Sequence, residues 1–237
     1  MAKPTIIYEH TDFLVINKPP NMAVCPPYHE STLQDWLIEQ KLIDPSVFKP
    51  EDNFGIVHRI DADTSGIVIW AKNPETQQKL KDLWQGRSVE KTYLALVVGD
   101  TEDRGVIELS IKRDNKKDQQ TISWLPASGE RPAISHYQKL ATAEVGAHKV
   151  SLLQVKPITG RTHQIRVHLQ AINHSIIGDS VYGNKETRDI AEELGLTRQF
   201  LHAYKISLPN YGNFEAELTD DLLEIIKHLG VDKAINI

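Results

Sequence analysis

Val57-His58-Arg59-Ile60-Asp61-Ala62-Asp63-Thr64-Ser65-Gly66-Ile67-Val68-Ile69-Trp70 is the stretch that decides the reading of this chain. It opens on an ionisable cluster and closes in an apolar run. Ile67 to Ala71 has the length and composition of a strand buried on both faces. Gly66 permits a tight backbone turn into that strand. Between His58 and Gly66 stand an arginine, two aspartates and two hydroxyls. Setting those charges against a buried strand is costly unless they are paired or used. Asp61-Ala62-Asp63-Thr64-Ser65-Gly66 also fits an ordinary turn, with its acids bonded to their own backbone. The rest of the chain is needed to decide between the two.

Working outward on the N-terminal side, Thr5-Ile6-Ile7-Tyr8-Glu9 and Phe13-Leu14-Val15-Ile16-Asn17 read as paired strands, and Lys18-Pro19-Pro20 ends the second. Ser31 to Ile38 reads as a helix capped by Ser31, and residues 44 to 53 as a polar connector. On the C-terminal side, Pro74 starts a helix after Asn73 that places Leu80, Leu83 and Trp84 together. Glu90 to Gly99 is a strand carrying Lys91-Thr92-Tyr93-Leu94-Ala95. Further strands are expected at 106–109, 121–124, 134–140, 148–155, 200–209 and 214–218, and a last helix from Thr219 to Leu229.

A second anchor is Lys156-Pro157-Ile158-Thr159-Gly160-Arg161-Thr162-His163-Gln164-Ile165-Arg166-Val167-His168-Leu169, read as a helix capped by Thr162. His163 and His168 stand five apart, which separates them by about 140° around a helix and argues against a shared metal. No cysteine cluster supports zinc.

Charge distribution qualifies the net charge of −5. From Val145 to Gly178 there is no Asp or Glu, while Lys149, Lys156, Arg161 and Arg166 stand there with four histidines. Lys112, Arg113, Lys116 and Lys117 form a second basic cluster. A basic strip on a modestly acidic body fits either a solvated face or a nucleic-acid footprint. The 237 residues suffice for one domain or two small lobes, and no repeat or linker divides them. The one cysteine, Cys25, excludes an internal disulfide and fits a reducing compartment. No apolar run approaches a membrane span, and Met1-Ala2-Lys3-Pro4-Thr5 opens no signal peptide. A single cytoplasmic domain over 1–237 is the expectation, with no membrane and no obligatory protein partner.

His58-Arg59-Ile60-Asp61-x-x-Thr64-Ser65-Gly66-Ile67 resembles the signature of the RluA-like RNA pseudouridine synthases, His-Arg-Leu-Asp-x-x-Thr-Ser-Gly-Leu, with isoleucine for both leucines. Asn17-Lys18-Pro19, Lys91-x-Tyr93-x-Ala95, the string from Thr159 to Leu169, Gly178-Asp179-x-x-Tyr182-Gly183 and Leu201-His202-Ala203 resemble further family features, in family order. The resemblance implies an α+β fold: a mixed, mostly antiparallel bent sheet with flanking helices and a central RNA-binding cleft. It implies isomerisation of uridine in ribosomal or transfer RNA, with no cofactor and no metal. By this match Asp61 is the catalytic aspartate, Arg161 its partner and Tyr93 the active-site tyrosine. Arg59 matches the arginine that enters the RNA helix when the base flips. His58, Lys91 and Arg166 join it as candidate RNA contacts, and His58, Thr64 and Ser65 also read as loop scaffold. The small N-terminal RNA-binding module of many relatives is expected to be missing. Two other readings remain: a non-catalytic RNA-binding protein on this fold, which would be expected to lose Asp61, Tyr93 or Arg161, and a hydrolase using Asp61 with Asp63.

Overall fold

Every residue of the strand Ser65–Ala71 is buried, so the apolar run after the ionisable cluster is sheet interior on both faces. The computed structural model describes residues 2–26, 31–114, 119–123 and 132–235. In chain order the elements are β1 (Thr5–Glu9), β2 (Phe13–Lys18), α1 (Leu33–Glu39), β3 (Ser65–Ala71), α2 (Pro74–Gln85), β4 (Glu90–Val98), β5 (Arg104–Glu108), β6 (Ser110–Asp114), β7 (Gln119–Ser123), β8 (Ile134–Val145), β9 (His148–Pro157), α3 (Gln164–Ala171), α4 (Lys185–Glu193), β10 (Leu201–Leu208), β11 (Gly212–Glu215) and α5 (Asp220–His228). This is a mixed α+β fold with largely antiparallel strands, as the resemblance implied. No described helix is long and apolar enough to cross a membrane.

The contacts divide the chain into two compact units: residues 1–91 with 203–219, and residues 92–202 with 220–237. In the first unit β1, β2, β3, β10 and β11 lie side by side. β2 pairs antiparallel with β3 from Phe13 opposite Ala71 to Lys18 opposite Gly66. Phe13, Val15, Ile67, Ile69, Ala71, Ile206 and Leu208 form one buried cluster with Leu80 of α2, and Leu83 and Trp84 pack against it. That is the face of α2 that its apolar spacing marked. The connector between α1 and β3 folds as two short 3-10 turns, 45–47 and 50–55. The Trp70 indole donates to Phe54 O at 2.8 Å, and Gln77 Nε2 donates to Asp52 O and Ile56 O at 2.6 and 2.9 Å. Buried side chains of β3 and α2 thereby satisfy the connector's own carbonyls.

In the second unit β4, β9, β8 and β5 form an antiparallel array, and β6 and β7 a separate hairpin. β4 pairs with β9 from Tyr93 opposite Val155 to Val98 opposite Val150. Val167 of α3 packs with Ile111, Ala133 and Tyr182 in a small buried cluster that includes the hairpin's Ile122 at its edge.

Several expectations shift. The N-cap of α1 is Thr32, not Ser31: Thr32 Oγ1 accepts from the Asp35 amide and Asp35 Oδ2 accepts from the Thr32 amide. α3 begins at Gln164 with His163 as N-cap, not Thr162, because His163 turns into the left-handed region at φ 54°. β6 and α4 answer to no expected element, and β11 ends at Glu215, short of the strand expected to 218. Trp124 of the expected strand 121–124, and Lys116 and Lys117 of the second basic cluster, lie outside the described residues.

Candidate active site

In the first unit, the loop bearing Asp61 is held by groups that flank it in space. Lys18, the last residue of β2, is fully buried, and its ammonium donates to Pro19 O, Met22 O and Ala62 O at 2.7, 2.8 and 2.8 Å. A buried ammonium is tolerated only with its donors satisfied. Here those donors tie the loop after β2 to the residue next to Asp61. The Met22 amide also donates to Ala62 O, at 3.3 Å, and the Thr64 amide to Asp61 O at 3.2 Å. Thr64 and Ser65 are buried, Asp61 is partly buried, and Arg59 is exposed.

His58 closes the other end of the loop. Its ring stacks on Trp84 with centroids 4.5 Å apart, and its Nε2 accepts from the Ile69 amide at 3.0 Å. An accepting Nε2 requires the neutral ring with the proton on Nδ1. Burial, then the nearby Lys91 ammonium, pushes the His58 pKa down to about 3. Lys91 is itself partly buried, and desolvation lowers its pKa. His58 therefore anchors β3 to α2, which supports its scaffold reading and not the expectation of direct RNA contact.

This geometry has a consequence for stability. The unfolded chain takes up a proton at His58 as pH falls below about 6.5, whereas the folded chain resists until about 3. The stability supplied by neutral His58 is complete above that upper value and drains away below it. Urea melts at pH 7 and pH 5 should show a larger loss for wild type than for His58→Gln, whose amide oxygen also accepts from Ile69. Equal losses would mean that His58 titrates as an ordinary histidine.

In the second unit Tyr93 lies on β4 opposite Val155 and is partly buried. Arg161 sits on the turn between β9 and α3, its Nε 3.5 Å from Pro132 O. A buried polar network holds this turn. Gln164 Oε1 accepts from Thr159 Oγ1 at 2.6 Å and from the Arg161 amide at 3.0 Å. Its Nε2 donates to Ile134 O and Ser135 Oγ at 2.9 and 3.0 Å. Ser135 Oγ continues to His168 Nδ1, and His168 Nε2 reaches Leu109 O at 3.3 Å, so the proton of the neutral ring lies on Nε2. Burial lowers the His168 pKa, against the opposing bond to Leu109. On the next turn, His163 Nδ1 meets Tyr182 Oη at 3.0 Å, and that oxygen accepts from the Gln120 amide of β7.

Arg166 departs from its expected role as an RNA contact. It is 5% exposed, and its Nε and Nη2 donate to the two oxygens of Asp179 at 2.7 and 2.8 Å. Its guanidinium also lies 5.1 Å from the centre of the Tyr182 ring. Burial pushes the Asp179 pKa up, but Arg166 and the Tyr182 and Val181 amides outweigh it and leave the carboxyl below its usual value. The pair fixes α3 to the segment after it, whereas Arg59, Lys149 and Lys156 are exposed.

Asp61, Tyr93 and Arg161 thus each stand on a stiffly held element. The RNA pseudouridylate synthase family profile matches residues 12–171, a range holding all three. The chain belongs to the RNA pseudouridylate synthase family. An RNA pseudouridine synthase of Chloroflexus aurantiacus is 40% identical over 222 residues, 90% of this chain and 65% of that protein. The ribosomal large subunit pseudouridine synthase D of Zymomonas mobilis is 32% identical, over 94% of this chain and 72% of that protein. The chain therefore spans about two thirds of the length of these pseudouridine synthase relatives. Human RNA pseudouridylate synthase domain containing 1 superposes with a TM-score of 0.73 at 28% identity, over 92% of this chain and 84% of that one. Human RNA pseudouridylate synthase domain containing 4, at 23% identity, shares the fold with a TM-score of 0.74. The RluA-like resemblance and the pseudouridine synthase fold both stand.

Two residues that hold these elements were not singled out from sequence. Lys18 stood inside Asn17-Lys18-Pro19, and Gln164 inside the string from Thr159 to Leu169. Neither motif by itself assigns its residue a role. Among the described residues no group of three or more His, Cys, Asp or Glu side chains converges as a metal site.

Proposed function

We propose that this chain isomerises uridine to pseudouridine in RNA, with Asp61 as the catalytic aspartate. The observation that carries the proposal is the family match over residues 12–171, which brackets an aspartate loop clamped by buried Lys18. A carboxylate attacks C1′ of the target nucleotide, or takes a proton from C2′ to give a glycal. Either route breaks the N1–C1′ bond, lets the base rotate, and forms the C5–C1′ bond, as the Asp61–C1′ ester bond breaks or the proton taken from C2′ is returned. C5 loses its proton and N1 gains one, so neither redox partner nor energy input is required.

The remaining roles follow the resemblance. Tyr93 stacks on the target base, and Arg161 pairs with Asp61 to favour its ionised form. Arg59, exposed on the same loop, enters the RNA stack when the base leaves it, offsetting part of an unstacking cost of a few kcal/mol. The chain works as a single catalytic domain in the cytoplasm and binds RNA in a central cleft. Ribosomal RNA is the preferred substrate, because several relatives are named ribosomal large subunit pseudouridine synthase D; transfer RNA is the second.

The test is nucleoside analysis after incubating the protein with ribosomal and transfer RNA pools that lack pseudouridine. Pseudouridine in the ribosomal pool supports the proposal, and its absence from both pools contradicts it. Arg161→Ala should lose most activity, on the order of 10²-fold, as a charge partner of the reacting group is removed. A wild-type rate in that variant would break the proposed pairing with Asp61.

A further inference from the structure

We propose that Gln164 is the positioning residue of the Arg161 turn, resting on the reading of Arg161 as an active-site residue. The side chain is 4% exposed and its hydrogen-bonding capacity is fully used. On one side its oxygen accepts from the Thr159 hydroxyl and the Arg161 amide, which lie on either side of Gly160. On the other its amide group donates to Ile134 O and Ser135 Oγ at the start of β8. One planar group thereby joins the turn to the strand beside it.

Beside this side chain, the turn is closed by the Gln164 amide donating to Arg161 O at 3.1 Å and by His163 Nδ1 meeting Tyr182 Oη at 3.0 Å. Gly160 has nothing within 4 Å of where a Cβ would stand, so packing does not confine it. His163, the N-cap of α3, caps nothing with its side chain and takes a left-handed conformation that costs a non-glycine residue energy. The Thr159 hydroxyl accepts from the Ile134 amide at 3.1 Å while donating to Gln164, so it extends the same network. Gln164 is thus the hub between the backbone that carries Arg161 and the rigid sheet. It touches no substrate in this role; it acts through the placement of Arg161.

Two variants separate positioning from mere support of the fold. Gln164→Met keeps the volume and removes the acceptor for the Arg161 amide. Gln164→Glu keeps that acceptor and gives up the donors to β8. The first readout is amide hydrogen exchange of the folded protein without RNA. In Gln164→Met the Arg161 amide should exchange at least ~10-fold faster than in wild type, with Leu152 and Leu153 of β9 unchanged. In Gln164→Glu the Arg161 amide should stay protected. The second readout is kinetic: kcat of Gln164→Met should fall ~10- to 100-fold, the cost of a misplaced group, with RNA affinity kept. In an Arg161→Ala background the same substitution should add no further loss, since both act through one side chain.

Unchanged protection of Arg161 in Gln164→Met, equal acceleration across all of β9, or full additivity with Arg161→Ala would overturn the proposal. Should Gln164→Met fail to fold, an unprotected Arg161 amide in Gln164→Glu would overturn it as well. If the wild-type protein makes no pseudouridine, the catalytic reading fails, and the exchange result still decides this one.

Discussion

Asp61→Asn should fold as wild type does, bind RNA with unchanged affinity and form no pseudouridine, a loss of ~10³-fold or more if the carboxylate is the group that attacks C1′ or takes the C2′ proton. The substitution keeps shape and removes the charge and basicity on which either route depends. Folding should survive because the loop is held by other atoms. Lys18 grips the Ala62 carbonyl, the Thr64 amide bonds the Asp61 carbonyl, and His58 is stacked on Trp84. Near-wild-type activity in a folded Asp61→Asn would remove Asp61 from the chemistry. Loss of RNA binding together with activity would move it to recognition instead.

Gly66→Ala should fail to accumulate as folded protein. Gly66 has φ of 110°, a conformation that L side chains rarely adopt. A Cβ there would stand 2.7 Å from the Ala203 nitrogen and 2.8 Å from its carbonyl carbon. These are backbone atoms of β10, pinned in the sheet, and no side chain can swing aside to relieve the clash. Strain at the dihedral and overpacking each cost ~1–3 kcal/mol in general, and both apply here. Together they take a large share of a typical stability of ~5–15 kcal/mol. The measurement is soluble yield and thermal melting beside wild type. A melting temperature within a few degrees of wild type would show that β3 and β10 can part locally at this point.

Gly66 also shows what a sequence can and cannot reveal here. The buried strand was legible, because an unbroken apolar run following a cluster of charges has few other solutions, but Gly66 lies within that strand and the turn before it falls at Ala62 and Asp63. The close approach of Ala203, far along the chain, had no local signal. The same division runs through the candidate residues. Asp61, Tyr93 and Arg161 were proposed from motif strings. Lys18 and Gln164 could not be given roles, because what marks them is the set of carbonyls and amides that the fold brings around them.

Arg166 is the instructive case among the cations. In the string from Thr159 to Leu169 it reads like Arg161, a basic residue in an acid-free window. One helical turn separates it from surface duty: it points inward to Asp179, while Arg161 stays on the turn. Charge counted along a chain does not tell a buried pair from an exposed strip. Helix α3 was anticipated, but its start was not, because the left-handed His163 delays the first helical residue. Capping preference favoured Thr162, and the tertiary bonds of Gln164 and His163 overrode it.

Tritium release from ribosomal RNA labelled at uridine C5 decides whether Asp61 drives the isomerisation. Formation of the C5–C1′ bond expels that hydrogen, so release counts turnovers without reference to any structural argument. The wild-type protein should give multiple-turnover release, and Asp61→Asn none above background under the same conditions. Equal release from the two proteins would contradict that role for Asp61.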